Sequence, residues 1–263
     1  MPTEKEILMS SKSQETVVTG QFGPRAAAYV ASAVHSSGPD LEELAALVRD
    51  HGAARVLDLG CGGGHVGFHV APHVREVVCY DLSSEMLQAV AGEAARRGLG
   101  NVVVRQGAAE TLPFADGSFD FVLSRYSAHH WRDVPAGLRQ ARRVLKAAGQ
   151  AAFVDAVSPG APLLDTYLQA IELLRDPSHV RDYSVEEWSQ MAQDAGFAVR
   201  VQACRRLRLE FASWVQRMAT PDVQVQAICA LQAQMAGDVT RHFEIEADGS
   251  FTIDTMTLAA APA

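Results

Sequence analysis

The segment VLDLGCGGG, residues 56–64, restricts the fold of this chain more than any other stretch. A short apolar run ends in a glycine-rich turn and opens a helical pattern, as at the first strand, turn and helix of a parallel α/β sheet. Glycines are needed there because the backbone must pass within van der Waals contact of a ligand lying across the strand ends, and a Cβ would collide with it.

From residue 40 to about 200, apolar runs bounded by turn residues alternate with helical patterns. Strands are expected at Arg55–Leu59, Val77–Tyr80, Val102–Gln106, Phe121–Ser124 and Ala151–Val157, five parallel strands with the continuous apolar character of a sheet covered on both faces. A helix is expected over Asp40–Asp50, with Asp40 after Pro39 as its N-cap. Another is expected from Ser83 or Ser84 to Arg97, capped by Ser83, with Met86, Leu87 and Val90 on its apolar face. After residue 195 the pattern predicts one long strand with an irregularity around Cys204–Arg206. A helix starting at Thr220–Pro221 and a last strand over Ser250–Leu258 follow, so the chain should end in a hairpin-like strand pair with helices inserted between its members. Residues 1–20 are expected to be mobile.

Composition narrows the function classes. With 48% hydrophobic and 21% charged residues the chain is too apolar for disorder. The formal charge of −8 opposes nonspecific binding to polyanions. The basic clusters Arg139–Arg143 and Arg205–Arg208 read as the solvated face of a helix and the outer face of a strand, so no nucleic-acid partner is expected. Cys61, Cys79, Cys204 and Cys229 are far apart and form no CxxC pair, which suits reduced, packing cysteines in a cytoplasmic protein. The N-terminus has no apolar leader core and no window suits a membrane span.

Two carboxylates flank the glycine turn. Asp81 closes the second strand, 21 residues after Gly60, where a carboxylate accepts hydrogen bonds from a ribose diol. Gly62, Gly64 and Gly67 also satisfy the GxGxxG spacing of a dinucleotide site, which leaves a nicotinamide oxidoreductase as one reading. Asp58, two residues before Gly60, points the other way. A carboxylate directed into the turn repels a pyrophosphate but suits a ligand carrying an ammonium and a sulfonium, so a cationic nucleoside is favoured.

Through VLDLGCGGG, YDLSSEML at 80–87 and QGAAETLPFADGSFDFVLSRYSAHHW at 106–131, the sequence resembles the class I S-adenosylmethionine-dependent methyltransferases, specifically the small-molecule branch of ubiquinone and menaquinone C-methyltransferases. The resemblance implies a Rossmann-like α/β fold: a seven-stranded, doubly wound, mostly parallel sheet with an antiparallel last strand. A single domain would cover 21–263, with an N-terminal helical lid over 21–38 and a helical insertion over 212–245 between the last two strands. It further implies that S-adenosylmethionine is held by Gly60, Cys61 and Gly62 at its methionine portion, by Asp58 at its amino group and by Asp81 at its ribose. Leu82 and Met86 would pack on the adenine, Ala108, Ala109 and Glu110 would border its edge, and Arg125 falls where the family often contacts cofactor. In the lid, Phe22, Tyr29 and His35 would point inward, Tyr29 towards the cofactor. Two departures stand out: Ala108 replaces a common Asp, and Ala147 and Ala148 precede Gly149 where Pro-Gly-Gly is usual. Cys61 and Met86 also suit plain core packing, and Arg125 a structural role.

Methyl transfer from a sulfonium is a direct displacement, accelerated chiefly by alignment, and a general base is needed only for acceptors such as a hydroxyl or an acidic carbon. RYSAHHW at 125–131 supplies candidates at the end of the fourth strand: His129 or His130 as base, and Tyr126 or Trp131 as stacking surfaces, although the histidines could equally bond loop backbone. His65 and His69 lie four apart, but no further ligand is evident and no metal is expected. Trp214, Arg217 and Met218 would form the acceptor pocket's other wall. With no Asn/Asp-Pro-Pro-Tyr segment after the fourth strand, the expected activity is carbon or oxygen methylation of a small molecule. The alternative is a silent cofactor-binding protein.

Overall fold

The computed structural model describes residues 12–30 and 37–263. Helix α1 (Gln14–Phe22), a short 3₁₀ turn and α2 (Ala26–Val30) precede α3 (Pro39–Val48). Then β1 (Arg55–Leu59), α4 (His65–Val70), β2 (Glu76–Asp81), α5 (Ser84–Arg96) and β3 (Val102–Gln106) wind one half of the sheet. The other half runs through β4 (Phe119–Arg125), α6 (Val134–Val144), β5 (Leu145–Val157), α7 (Pro162–Arg175), α8 (Val185–Asp194) and β6 (Phe197–Leu209). The inserted helices α9 (Phe211–Met218), α10 (Asp222–Gln234) and α11 (Gly237–His242) lead to β7 (Phe251–Pro262).

The seven strands lie in the order β3-β2-β1-β4-β5-β7-β6, with β7 antiparallel to both neighbours. Strand parity separates two cores. Leu57, Leu59, Val78 and Tyr80 face one side with Leu138, Trp188 and Phe197, while Val56, Val77 and Cys79 face the other with Leu41, Leu44 and Val90. A third core, holding Trp214, Ile228, Phe243 and Phe251, packs the inserted helices against α7. Because the parallel strands share one direction, the ends of β1, β2 and β4 open onto a common edge, where the chain switches from one half of the sheet to the other.

Several local expectations are corrected. Helix α3 starts at Pro39 with Gly38 at its N-cap, because Asp40 turns away to form a buried ion pair with Arg125. Helix α1 begins within residues 1–20, and Gln14 Nε2 donates to the Ser178 carbonyl at 2.6 Å. The irregularity in β6 falls between Val201 and Ala203 rather than at 204–206. Only Cys61 and Cys79 are packed inside; Cys204 and Cys229 are exposed. In the 139–143 cluster, Arg143 is half-buried and donates to the carbonyls of Leu112 and Phe114, so it fastens a loop. His35 lies outside the described residues. Among the described residues no helix is long and apolar enough to cross a membrane.

Gly67 shows how closely α4 rests on the sheet. A Cβ there would sit 2.5 Å from Cys79 Sγ. Gly67→Ala should therefore cost about 1 to 3 kcal/mol of stability by overpacking. Adding Cys79→Ala should recover part of that loss, so denaturant midpoints of the two single variants and the double should be non-additive. Strict additivity would show that the contact does not limit the packing.

Candidate functional site

A cleft opens at the ends of β1, β2 and β4, with α1 and α2 along its opposite wall. Its floor is the turn after β1. Gly60 and Gly62 adopt φ of +69° and +47°, and a Cβ on Gly60 would lie 1.8 Å from Ser127 Oγ, so the turn can pass under β4 only with glycine there. The amides of Gly60 and Cys61 both donate to the Tyr80 carbonyl, at 2.8 and 3.0 Å, which pins the turn to β2.

Asp58 and Asp81 both line this cleft. Asp58 is 1% exposed, its Oδ2 accepts from the Gly67 amide at 2.9 Å, and its Oδ1 has no hydrogen-bond partner among the described residues. Burial, only partly offset by the Gly67 bond, pushes its carboxyl up to about 7. Asp81 accepts from the Gly62 amide through Oδ2 at 2.9 Å and from the Ser83 amide through Oδ1 at 3.0 Å, and burial raises its carboxyl. Each Asp81 oxygen keeps a second lone pair for a ligand hydroxyl. A buried carboxylate oxygen with no donor is costly unless a cationic or donor-bearing ligand meets it. The arrangement therefore fits the ammonium end and ribose of S-adenosylmethionine and disfavours a diphosphate at the same turn.

Around these acids the cleft also gathers Cys61, Leu82, Met86, Ala109, Glu110, Arg125 and Tyr29. Glu110 Oε1 accepts from the Asp133 amide at 3.1 Å. Ala108 stays outside the lining; its carbonyl accepts from the Tyr80 hydroxyl at 3.4 Å. The Tyr29 hydroxyl lies 3.0 Å from Met218 Sδ, and its carbonyl accepts from the His65 ring Nε2 at 2.9 Å, which bonds α2 to the first turn of α4. His69 Nδ1 bonds the His65 carbonyl at 2.8 Å, so this pair serves the backbone. Among the described residues no group of His, Cys, Asp or Glu could hold a metal ion.

The segment after β4 divides its candidates. Tyr126 lines the cleft with a strained φ of +50°, and burial pushes its phenol up to about 12, so it keeps its proton and is no base. His130 lines the cleft beside Phe22, with ring centroids 5.0 Å apart. His129 does not line it; its Nδ1 donates to Asp155 Oδ1 at 2.6 Å behind the wall. Trp131 forms an edge, its indole N–H donating to Ser127 Oγ at 3.1 Å. Trp214, Arg217 and Met218 fail to form the other wall, since α9 turns Trp214 and Met218 into the interior.

That wall comes instead from Gln14, Glu15, Val18 and Phe22 of α1. Of these, Phe22 was expected to point inward; Gln14, Glu15 and Val18 carry no sequence signal because α1 does not segregate apolar from polar residues. Asp155 and Ser178 were missed for a different reason: their partners are 26 and 48 residues away along the chain.

Comparison with known proteins agrees with this geometry. The family described as "Methyltransferase domain" matches residues 57–153. The YafE protein of Escherichia coli K12 is 46% identical over 201 residues, covering 76% of this chain and 97% of that protein. The crystal structure of YcgJ from Bacillus subtilis superposes with a TM-score of 0.81 at 32% identity, over 84% of this chain and 96% of that one. The 2-phytyl-1,4-naphtoquinone methyltransferase of Synechococcus elongatus is 39% identical over 120 residues, 44% of this chain and 51% of that protein. With its glycine turn, paired acids and seven-stranded sheet, the chain belongs to the class I methyltransferase family and is an S-adenosylmethionine-dependent methyltransferase.

Proposed function

We propose that this enzyme methylates a small molecule at carbon or oxygen, with the acceptor seated between His130, Phe22 and Tyr126. The observation that carries this reading is the position of His130 in the cleft wall with one ring nitrogen engaged and the other without a hydrogen-bond partner among the described residues. Its Nδ1 lies 3.2 Å from the Ser178 carbonyl, which can only accept, so in neutral His130 the lone pair is on Nε2. The similarity to a quinone methyltransferase supports a small, flat acceptor, as do the aromatic side chains of the wall.

S-adenosylmethionine, when bound, supplies a sulfonium-borne methyl group open to displacement by a nucleophile. Asp58 Oδ1 would receive its ammonium, Gly60, Cys61 and Gly62 would run beneath its methionine portion, and Asp81 would hold the ribose. Leu82 and Met86 would pack on the adenine, with Ala109 and Glu110 at its edge. Arg125, paired with Asp40 and stacked on Tyr126 at 4.8 Å, would fix that wall. On the acceptor side, a hydroxyl oxygen or ring carbon that has gained a methyl while keeping its proton is strongly acidic. Even a weak base suffices to take that proton. Burial and the adjacent His129 push His130 down to about 4, so it stays unprotonated and ready throughout the neutral range.

Three outcomes follow from these assignments. Asp81→Ala should lose about 2 to 4 kcal/mol of affinity for S-adenosylhomocysteine by calorimetry, as two hydrogen bonds to a charged acceptor disappear; unchanged affinity would refute the ribose role. His130→Gln should lower S-adenosylhomocysteine release, assayed with an extracted metabolite pool, by about 10² to 10⁴ while leaving cofactor affinity nearly intact. Turnover equal to the parent would remove His130 from the chemistry. Asp58 ties stability to function: its folded value of about 7 exceeds the ordinary 3.8, so the native state holds an extra proton between them and loses stability as pH rises through that window. The ligand-free Asp58→Asn variant should therefore gain Tm over the parent on going from acid to neutral pH, yet bind cofactor more weakly. A Tm difference independent of pH would contradict the buried-acid account.

A further inference from the structure

Behind His130 lies a layer of buried polar groups that the cleft itself does not reach. Asp155, 1% exposed on β5, is its centre. Its Oδ2 accepts from the Ala128 amide at 2.9 Å, and its Oδ1 accepts from His129 Nδ1 at 2.6 Å. The His129 carbonyl accepts in turn from the amides of Val180 and Arg181, at 2.8 and 3.3 Å, so the residue is held at its ring and its backbone. A charge-assisted bond of this length to a buried carboxylate favours the imidazolium.

The His129 and His130 rings lie 4.2 Å apart, centroid to centroid. A second positive charge at that separation is strongly disfavoured, so a charged His129 keeps His130 neutral. The tautomer is fixed from the other side. Ser178 Oγ gives its own proton to Asp176 Oδ1 at 2.6 Å and offers only a lone pair to His130 Nδ1 at 3.3 Å, and the Ser178 carbonyl accepts from the same nitrogen. Nε2 of His130 is left without a hydrogen-bond partner among the described residues, yet it is not one of the sealed, unpartnered polar atoms of the interior.

We propose that Asp155 is a positioning residue of the methyl-transfer reaction: by holding His129 as a fixed cation behind the cleft wall, it keeps His130 in one neutral form, with Nδ1–H bonded inward and a bare Nε2 available to the acceptor. This rests on the reading of His130 as the proton acceptor. Other charges bear on the pair. Asp176 pulls His130 towards protonation, against His129, while Glu172 and Asp182 reinforce the charge on His129. Burial pushes Asp182 up to about 8, which weakens its pull, and His179 is driven down to about 2 and is neutral. Arg175 of α7 and Arg181 of the loop after it oppose protonation of His179, and Glu15 of α1 stands at the cleft. His129 outweighs Asp155 in its direct effect on His130, so removing the Asp155 charge, and with it the His129 charge, should make His130 easier to protonate.

The test is a pH titration by long-range ¹H–¹⁵N correlation on the full chain labelled at histidine nitrogen and saturated with S-adenosylhomocysteine, with signals assigned from His129→Gln and His130→Gln. In the parent protein His129 should be doubly protonated through the neutral range, and His130 should be neutral with its proton on Nδ1. In Asp155→Asn, His129 should be neutral at the same pH and the His130 midpoint should rise by about one pH unit or more. An unmoved His130 midpoint in the variant overturns the proposal. So does a parent spectrum with neutral His129 or with the His130 proton on Nε2, and that result needs no folded variant. Failure of the base reading looks different: His130→Gln would turn over normally while these histidine signals stay as expected.

Discussion

The hydrogen bond from the Gly67 amide to Asp58 holds the site together. It joins the last residues of β1 to the first turns of α4, and it forms only because residue 67 has no side chain to keep the helix off the strand. The bond uses one carboxylate oxygen and leaves the other buried without a partner among the described residues. The same geometry thus seats the helix, shapes the glycine turn and stores an electrostatic demand that a cationic ligand can satisfy. Natural sites often hold such local cost where binding or chemistry needs it.

The glycine turn and its flanking acids were legible in the sequence because their determinants are local. Strand, glycine turn and acid at 56–64, and the acid that ends β2 with Ser83 capping the next helix, are short-range patterns with one structural solution. Strand positions in the parallel half followed for the same reason, continuous apolar runs being hard to place elsewhere than in a doubly covered sheet. Asp40 shows where local rules gave way. Its position after Pro39 suits capping, but pairing with Arg125, 85 residues on, outweighs that preference.

The far side of the cleft was less legible because it is built from long-range contacts. Sequence drew attention to RYSAHHW but could not divide its two histidines; the division comes from Asp155 on β5 and from Ser178 on the loop after α7, which claim His129 and His130 respectively. The wall opposite was expected from Trp214, Arg217 and Met218, yet Trp214 joins the third core, Met218 is buried against the Tyr29 hydroxyl, and α1 supplies the wall instead. One wall of the cleft is therefore built from a helix whose own sequence carries a weak periodic signal.

One carbonyl oxygen links the two walls. Ser178 O accepts from Gln14 of α1 and also from the ring of His130. The placement of α1 and the tautomer of His130 are therefore coupled through one acceptor: a shift of either donor changes the hydrogen bond left to the other.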